Sequence, residues 1–245
     1  MLNAIKNLKK SRTERKVKAN LAKVKNPKAI KEDRQIAIDY FVSLGDAATA
    51  VPALLARFNY SIEHGINDTR EKESALKGII GYGAEAIPYL SEQLKNTTRI
   101  AWPIKALKEL GEEQQVVEIL KSALVYEDIS FDQAQVDKNY DILCYLVDYQ
   151  LPEEIEKVAS FLNDHDERVR YACAEVLIEQ KEDSVPQRLE RFITDNSAEN
   201  TRLRQIVIEG FVKNQWKVSN PGSLENAYIA NGVILSKENT LIKPS

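Results

Sequence analysis

The sequence predicts an all-α protein: an α-solenoid of about five to six helical hairpins, with a short C-terminal β-hairpin or extended arm. A two-helix pattern recurs along the 245 residues, and recurrence every 20 to 50 residues or so (about one hairpin) is typical of stacked architectures. Only nine Gly and eight Pro are present, and apolar residues do not alternate with polar ones until near the C-terminus, so a β-rich fold is disfavoured. One hairpin cannot bury its own apolar stripe, and neighbouring hairpins must therefore share a core.

Three regions follow one another along the chain. They are a basic leader or N-terminal cap (1–27), the repeats (28–214) and a C-terminal capping hairpin or arm (215–245). In the leader, nine of residues 6–25 are Lys or Arg and only one is Glu. Residues 1–25 therefore carry a charge of +8, whereas the net charge of the whole chain is −3 and residues 26–245 carry −11.

Apolar residues in the leader recur every three or four positions, from Leu2 to Leu8 and again from Val17 to Val24, which predicts two short amphipathic helical segments. Three roles stay open for them. One is a cap over the first repeat. Another is attachment to an anionic membrane surface, where each Lys or Arg contributes about 1 kcal/mol; the third is contact with nucleic acid or an acidic protein patch. The candidate residues for an anionic surface are Lys6, Lys9, Lys10, Arg12, Arg15, Lys16 and Lys18.

The repeats consist of paired helices. First helices are expected at 32–45, 69–83, 99–111, 137–150, 166–180 and 199–214, and second helices at 50–58, 86–94, 116–124, 154–162 and 184–192. Three second helices have a proline in the first turn, where its missing N–H is not needed: Pro52, Pro88 and Pro186. Three first helices end in a glycine, which takes the left-handed cap conformation without a Cβ clash: Gly45, Gly83 and Gly111.

The segment DERVRYACAEVL, residues 166–177, carries the most specific repeat signature. Six of its residues stand where the first-helix pattern of HEAT repeats places them: Asp166, Val169, Arg170, Ala172, Ala174 and Leu177. The chain resembles the HEAT-repeat family over about residues 28–214, and its layout looks like stand-alone bacterial HEAT-repeat proteins with a basic leader. The resemblance implies that Asp166 and Arg170 tie consecutive repeats together, and it implies binding and no particular chemistry. Other first helices, such as EDRQIAIDYF, lack the full Asp and Arg pairing.

The C-terminal region changes character after Trp216. Asn231 and Gly232 lie between YIA and VIL, and this dipeptide between apolar runs favours a two-residue hairpin turn. The expected structure is a small hairpin or arm that covers the last repeat. The alternative is a strand that adds to the sheet of a partner.

The sequence predicts no catalytic, cofactor or metal site. Its two histidines, His64 and His165, are about a hundred residues apart, and no CxxC or HExxH spacing occurs, so potential metal ligands are not clustered. No glycine-rich phosphate loop follows a strand, and neither a GxSxG motif nor a Cys beside a His is visible. Both histidines are interpreted as solvated turn residues.

Cysteine usage and apolar runs suggest where the protein works. Cys144 and Cys173 are interpreted as core thiols of helices, which suits a reducing compartment. The longest uncharged apolar run, 47–56, is far shorter than the roughly 20 residues that cross a bilayer. Lysines interrupt the first ten residues, so a secretory signal is not expected. The expected location is the cytoplasm.

The favoured function is a non-enzymatic scaffold or adaptor that binds another protein, with peripheral contact to an anionic membrane as a further role of the leader. The alternative is a DNA-binding enzyme of the alkylpurine DNA glycosylase type, a bacterial family that the chain resembles in size and helix count. Trp102 and Trp216 would then contact the nucleotide. The strongly acidic repeat region has the wrong sign for neutralising phosphates, so nucleic acid is not favoured as a partner.

Candidate partner-binding residues are of two kinds. Charged residues off the apolar stripe of the second helices are expected to form a partner-facing row, although such a row also fits a solvated face. Trp102 and the aromatic residues of the loop 125–133 are candidate anchors, because loop aromatics often form interface hot spots. Trp102 equally fits a core position at the kink before Pro103. The complete set is Arg57, Glu92, Lys95, Trp102, Lys121, Tyr126, Phe131, Lys157, Arg188 and Arg191.

Overall fold

The computed structural model describes residues 2–111, 113–126, 131–224 and 232–243, with side chains from residue 11 onward except that of Ser223. Over these residues all regular secondary structure is helical apart from one two-stranded sheet, which confirms the all-α prediction. The helices are α1 (Leu2–Val24), α2 (Lys31–Val42), α3 (Ala47–Leu55), α4 (Gly65–Gly81), α5 (Ile87–Asn96), α6 (Ala101–Leu110), α7 (Glu113–Ala123), α8 (Gln133–Leu146), α9 (Ile155–Ser160), α10 (Glu167–Ile178), α11 (Val185–Leu189) and α12 (Thr201–Asn214). The strands are β1 (Ile234–Leu235) and β2 (Leu241–Ile242).

The eleven helices after α1 lie within a few residues of the predicted first and second helices. Gly45 and Gly83 have positive φ angles of 70° and 59°, as the predicted left-handed caps require. Gly111 does not, because its φ is −95° and the chain leaves α6 in an extended conformation. Pro52 is also placed differently: α3 begins earlier than predicted, at Ala47, so this proline lies inside the helix and not in its first turn.

The chain forms two compact units, Met1–Ala123 and Leu124–Ser245. In the first unit, α1 packs on α2, α2 on α4, and α4 on α6. The second helices follow the same order, with α3 packed on α5 and α5 on α7. Their shared core contains side chains without solvent exposure, among them Phe41, Leu54, Ile79, Leu90 and Leu107.

The first helices of the second unit pack in the same order. Helix α10 packs on both α8 and α12, and the short helices α9 and α11 pack on α10. Its core includes Ile142, Val169, Leu177, Leu189 and Phe211, none of which reaches solvent. Within each unit, an apolar stripe that one helix pair could not cover is buried by the next pair.

Helix α1 is continuous, so the prediction of two separate segments is wrong. Residues 9–16 contain no Pro or Gly, and Lys, Arg and Glu have good helix propensity, so nothing interrupts the backbone between the two apolar groups. The helix contacts α2 and α3. Val24 is completely buried there, and Val17 and Leu21 are partly buried.

The C-terminal strands form an antiparallel pair, with Ile234 opposite Ile242 and Leu235 opposite Leu241. Their turn spans 236–240, where the Ser236 N–H donates to the Thr240 carbonyl (2.8 Å). The turn predicted at Asn231 and Gly232 would precede β1; Asn231 and the segment 228–230 lie outside the described residues. Strand β2 contacts α12, and its Leu241 is buried.

Within the described part of the chain, none of the helices combines the length and the apolar character that a bilayer crossing needs.

Candidate interaction surfaces

Helix α1 presents a cationic surface in the first unit. Four of the seven predicted cations are exposed: Arg12, Arg15, Lys16 and Lys18. The side chains of the other three, Lys6, Lys9 and Lys10, lie outside the described residues. Lys16 Nζ is 4.8 Å from the ring centroid of Tyr40 in α2, within the range of a cation–π contact. Since Val17, Leu21 and Val24 face the core while these four cations are exposed, capping and contact with an anion would use different residues.

Six of the seven charged residues predicted on the second helices reach solvent, in two separate groups. Glu92, Lys95 and Lys121 belong to the first unit, and Lys157, Arg188 and Arg191 to the second. Local pairs form there, as between Lys157 Nζ and Glu154 (2.9 Å), and between Arg188 and Glu156. Exposed pairs of this kind contribute at most about 1 kcal/mol, so these residues remain candidates for contact with a partner.

The prediction that Arg57 faces a partner is wrong, because its side chain is completely buried. It lies just after α3, in the 3-10 turn Ala56–Asn59. Its Nε donates to Glu71 (2.9 Å) and its Nη2 to Asp68 (2.7 Å), both in α4. An arginine that seems to lie off the apolar stripe can be buried where a distant segment supplies carboxylates.

The aromatic candidates have different environments. Trp102 is partly buried and stacks on Phe58, with ring centroids 5.7 Å apart. Tyr126 is 41% exposed and its ring lies 5.0 Å from that of Phe161; partial burial raises the pKa of Tyr126 to about 12. Phe131 is completely exposed, while the intervening residues 127–130 lie outside the described residues. Two of the three candidates are thus half packed and one stands in solvent.

The first unit contains a buried charge cluster that sequence reasoning missed. It consists of five residues that are each less than a tenth exposed: Arg34, Arg57, Asp68, Glu71 and Lys72. Glu71 accepts hydrogen bonds from Arg34 Nε and Nη2 (both 3.0 Å) and from Arg57 Nε. Asp68 accepts from Arg57 Nη2 and from Lys72 Nζ (2.6 Å). The cluster thereby joins three segments: α2, the 3-10 turn after α3, and α4.

The charge cluster holds three cations and two carboxylates, a net charge of +1. Burial would raise the pKa of Asp68, but the hydrogen bonds from Lys72 and Arg57 outweigh it and hold this pKa below its usual value. The hydrogen bond to Glu71 raises the pKa of Arg34. A sequence signal was available, because the charged residues of α4 continue the spacing of its buried Ala75 and Ile79 towards the N-terminus.

Arg170, which the resemblance implied to be a structural link, spans two connections of the second unit. It donates to the carbonyls of Asp164 (2.8 Å) and His165 (3.0 Å) before α10, and to Asn200 Oδ1 (3.0 Å) before α12. Asp166 caps α10 by accepting from the backbone N–H of Arg168 (2.8 Å). Neither residue is placed for chemistry on a ligand, since protein groups occupy their polar atoms.

Histidine and cysteine form no reactive cluster in the described part of the chain. No group of three or more His, Cys, Asp or Glu residues there could hold a metal ion. His64 is exposed, and His165 Nδ1 lies 3.1 Å from Asp164. Cys173 is buried as predicted, but Cys144 is exposed, so its interpretation as a core thiol is wrong. The neighbouring Leu143 occupies a buried position of α8, which leaves Cys144 on the outer side.

Comparison with known proteins gives no match: no family model, no curated protein and no solved structure matches the chain.

Proposed function

We propose that this chain is a non-enzymatic scaffold that binds another protein, built as a solenoid of HEAT-like helical hairpins, with α1 contacting an anionic surface. Curved stacks of helix pairs offer extended surfaces for binding. Both described cysteines are free, which suits action in the cytoplasm. The proposal rests on repeated contacts in the two units and on an exposed aromatic side chain.

Two arginines in like positions support a HEAT-like repeat. Arg34 precedes buried residues of α2 at spacings of three, four and seven, and Arg170 precedes buried residues of α10 at the same spacings. Each donates to carbonyls of the connection before its helix: Arg34 to Pro27 (3.2 Å) and Ala29, and Arg170 as described above. Each arginine also bonds to the segment of the next first helix. Arg34 pairs with Glu71 in α4, and Arg170 donates to Asn200 just before α12. Such a shared role is expected when one structural unit is repeated along a chain.

The exposure of Phe131 is the observation that carries the binding proposal. Its side chain is fully exposed to solvent, although a phenylalanine is ordinarily buried. Tyr126, five residues earlier in the same connection, is held against Phe161 with part of its ring in solvent. A packed tyrosine and an exposed phenylalanine in one connection resemble the aromatic anchors that dominate many protein interfaces.

A capture experiment tests this site. The tagged chain should retain a specific set of proteins from lysate, and Phe131→Ser should reduce their recovery at least about tenfold, the usual loss for an interface hot spot. Ile66→Ser is the matched control, because Ile66 is also an exposed apolar residue (70%) but lies in the first unit. If both variants retain the same proteins as the unchanged chain, Phe131 is not a binding residue.

The role of α1 needs a separate test that preserves packing. Truncation is unsuitable, because Val24 is buried and its carbonyl accepts a hydrogen bond from Tyr60 Oη (2.5 Å). We therefore choose Arg12→Gln with Lys18→Gln, both exposed, and compare it with Arg70→Gln and Lys77→Gln on α4. Sedimentation with anionic vesicles at low salt should decrease only for the α1 variant, by about fivefold or more per charge at roughly 1 kcal/mol each. Equal binding of both variants would contradict the assignment.

A further inference from the structure

Two cations converge on one exposed hydroxyl at the edge of the charge cluster. Ser61 lies in the connection before α4 and is exposed. Its Oγ is 3.3 Å from Lys72 Nζ and 3.3 Å from Arg99 Nη1. Arg99 lies in the connection between α5 and α6 and is also exposed. The three residues, which we call the Ser61 corner, thus meet where the buried cluster opens to solvent.

The charge cluster and Arg99 together carry more positive charge than their carboxylates balance. Arg99 adds a fourth cation to the three of the charge cluster, against the two carboxylates Asp68 and Glu71, so the net charge is +2. Within the described part of the chain, Arg99 forms no ion pair, and its side-chain hydrogen bond goes to the Ser61 hydroxyl. This local excess of positive charge is found although residues 26–245 carry a total charge of −11.

A neutral hydroxyl is a poor acceptor for two cations. Charge-assisted hydrogen bonds between N–H groups and anionic oxygens are about 2.7–2.9 Å long, and both contacts with Ser61 are longer. Lys72 is fixed in place, because its side chain is 8% exposed and its Nζ is bonded to Asp68 at 2.6 Å. Its remaining donor capacity is directed towards Ser61, and an oxyanion there would accept from both cations at shorter distances.

We propose that the Ser61 corner is a binding site for a phosphate-type oxyanion. Lys72 Nζ and Arg99 Nη1 donate to separate oxygens of the tetrahedral group, and the Ser61 hydroxyl rotates to donate its proton to the same group. A serine hydroxyl can serve as donor or acceptor, so its role changes without backbone movement. A phosphate monoester has a charge of about −1.5 to −2 at neutral pH, which matches the local excess, whereas a single carboxylate would leave half of it unbalanced.

Inorganic phosphate is the probe for the first test, with the full chain and with chloride at equal ionic strength as the reference. Isothermal titration should give saturable binding of phosphate at one site. Arg99→Gln should weaken it about tenfold or more, because one charge-assisted bond is lost, and Ser61→Ala should weaken it by a smaller factor of about three. Neither side chain is buried, so circular dichroism should show both variants folded.

Arg70→Gln is the matched control, since Arg70 is an exposed arginine of α4 two residues from Lys72 and therefore roughly 200° away around the helix. It should bind phosphate as the unchanged chain does. The proposal is overturned if phosphate has no saturable effect beyond that of chloride, or if Arg99→Gln and Arg70→Gln bind phosphate equally.

The phosphate group could belong to a small molecule or to a lipid headgroup, and a second arm separates these sources. Glycerol 3-phosphate is titrated in solution, and vesicles containing phosphatidic acid are tested by sedimentation. Loss of vesicle binding in Arg99→Gln assigns the site to a headgroup. Loss of glycerol 3-phosphate binding alone, with vesicle binding unchanged, assigns it to a soluble phosphate monoester. If Arg99→Gln alters neither, the proposal fails.

Discussion

Replacing Glu71 by Gln should strongly destabilise the first unit. The Glu71 side chain is 1% exposed and is the acceptor for three guanidinium N–H groups, two from Arg34 and one from Arg57. Glutamine keeps the shape but removes the negative charge and turns an N–H group towards a guanidinium. The charge cluster would then hold three cations and one carboxylate. Since removal of one partner from a buried ion pair costs about 3–5 kcal/mol, we expect a loss of this size in the free energy of unfolding.

The matched control for this change is Glu73→Gln. Glu73 lies on the same helix two residues further on, but it is exposed, so its replacement should change stability by less than about 0.5 kcal/mol. The two variants carry the same charge change and the same side-chain volume. Only burial and hydrogen bonding differ between them.

Urea denaturation, monitored by the fluorescence of a tryptophan in the first unit, measures the stability that this unit loses. Trp102 lies in the first unit and Trp216 in the second, so a Trp216→Phe background leaves Trp102 as the single reporter. Trp102 stacks on Phe58, next to Arg57, and should respond to loss of local packing. Equal midpoints for Glu71→Gln and Glu73→Gln, with unchanged slopes, would refute the role of Glu71 as the anchor of the charge cluster.

Three further outcomes follow from the packing and titration of other residues. Gly78→Ala should lower the midpoint of thermal unfolding, because a Cβ there would lie 2.6 Å from Val42 Cγ2 and overpacking costs about 1–3 kcal/mol. The control is Gly81→Ala in the same helix, whose Cβ would meet no atom within 4 Å. This variant should leave the midpoint unchanged or raise it. Thiol titration of the native protein should detect only the exposed Cys144. Cys173, whose pKa is raised by burial, should react only after denaturation. Two thiols that react equally fast in the native protein would contradict the burial of Cys173. The Arg168 hydrogen bond lowers the pKa of Asp166 to about 2, so the ionised carboxylate stabilises the fold above its ordinary pKa of about 3.9 and loses this contribution as the pH falls towards 2. The urea midpoint of Asp166→Asn should therefore differ from that of the unchanged chain at pH 6 and converge with it near pH 2.

The positions of the helices could be predicted because their signals are local. Apolar residues at helical spacing, prolines in two second helices and glycines after two first helices mark the elements without reference to the rest of the chain. The errors at Pro52 and Gly111 concern only helix ends, where several backbone conformations satisfy the same sequence. The side of α8 on which Cys144 lies was misjudged for a related reason, since a small polarisable side chain is compatible with core and surface alike.

The candidate site was less predictable, because its chemistry depends on residues that are distant in the sequence. Arg57 was placed on the surface because its spacing puts it off the apolar stripe of its helix. It is buried because Glu71, fourteen residues later, and Asp68 supply the negative charge that an isolated buried guanidinium would lack. The Ser61 corner joins three separate segments in the same way, and no motif spacing indicates that Lys72 and Arg99 approach one hydroxyl.

By itself, the sequence of this protein determined a mainly helical chain of paired helices, a basic leader and an acidic remainder, because periodicity and net charge are properties of neighbouring residues. Only the tertiary structure decided which charges are buried. Arg34, Arg57 and Lys72 meet two carboxylates inside the first unit, whereas Arg12, Arg15 and Lys18 remain in solvent. The physical reason is that a charge can be buried where other segments bring hydrogen-bonding partners, here two carboxylates, within reach, and that distance is set by packing.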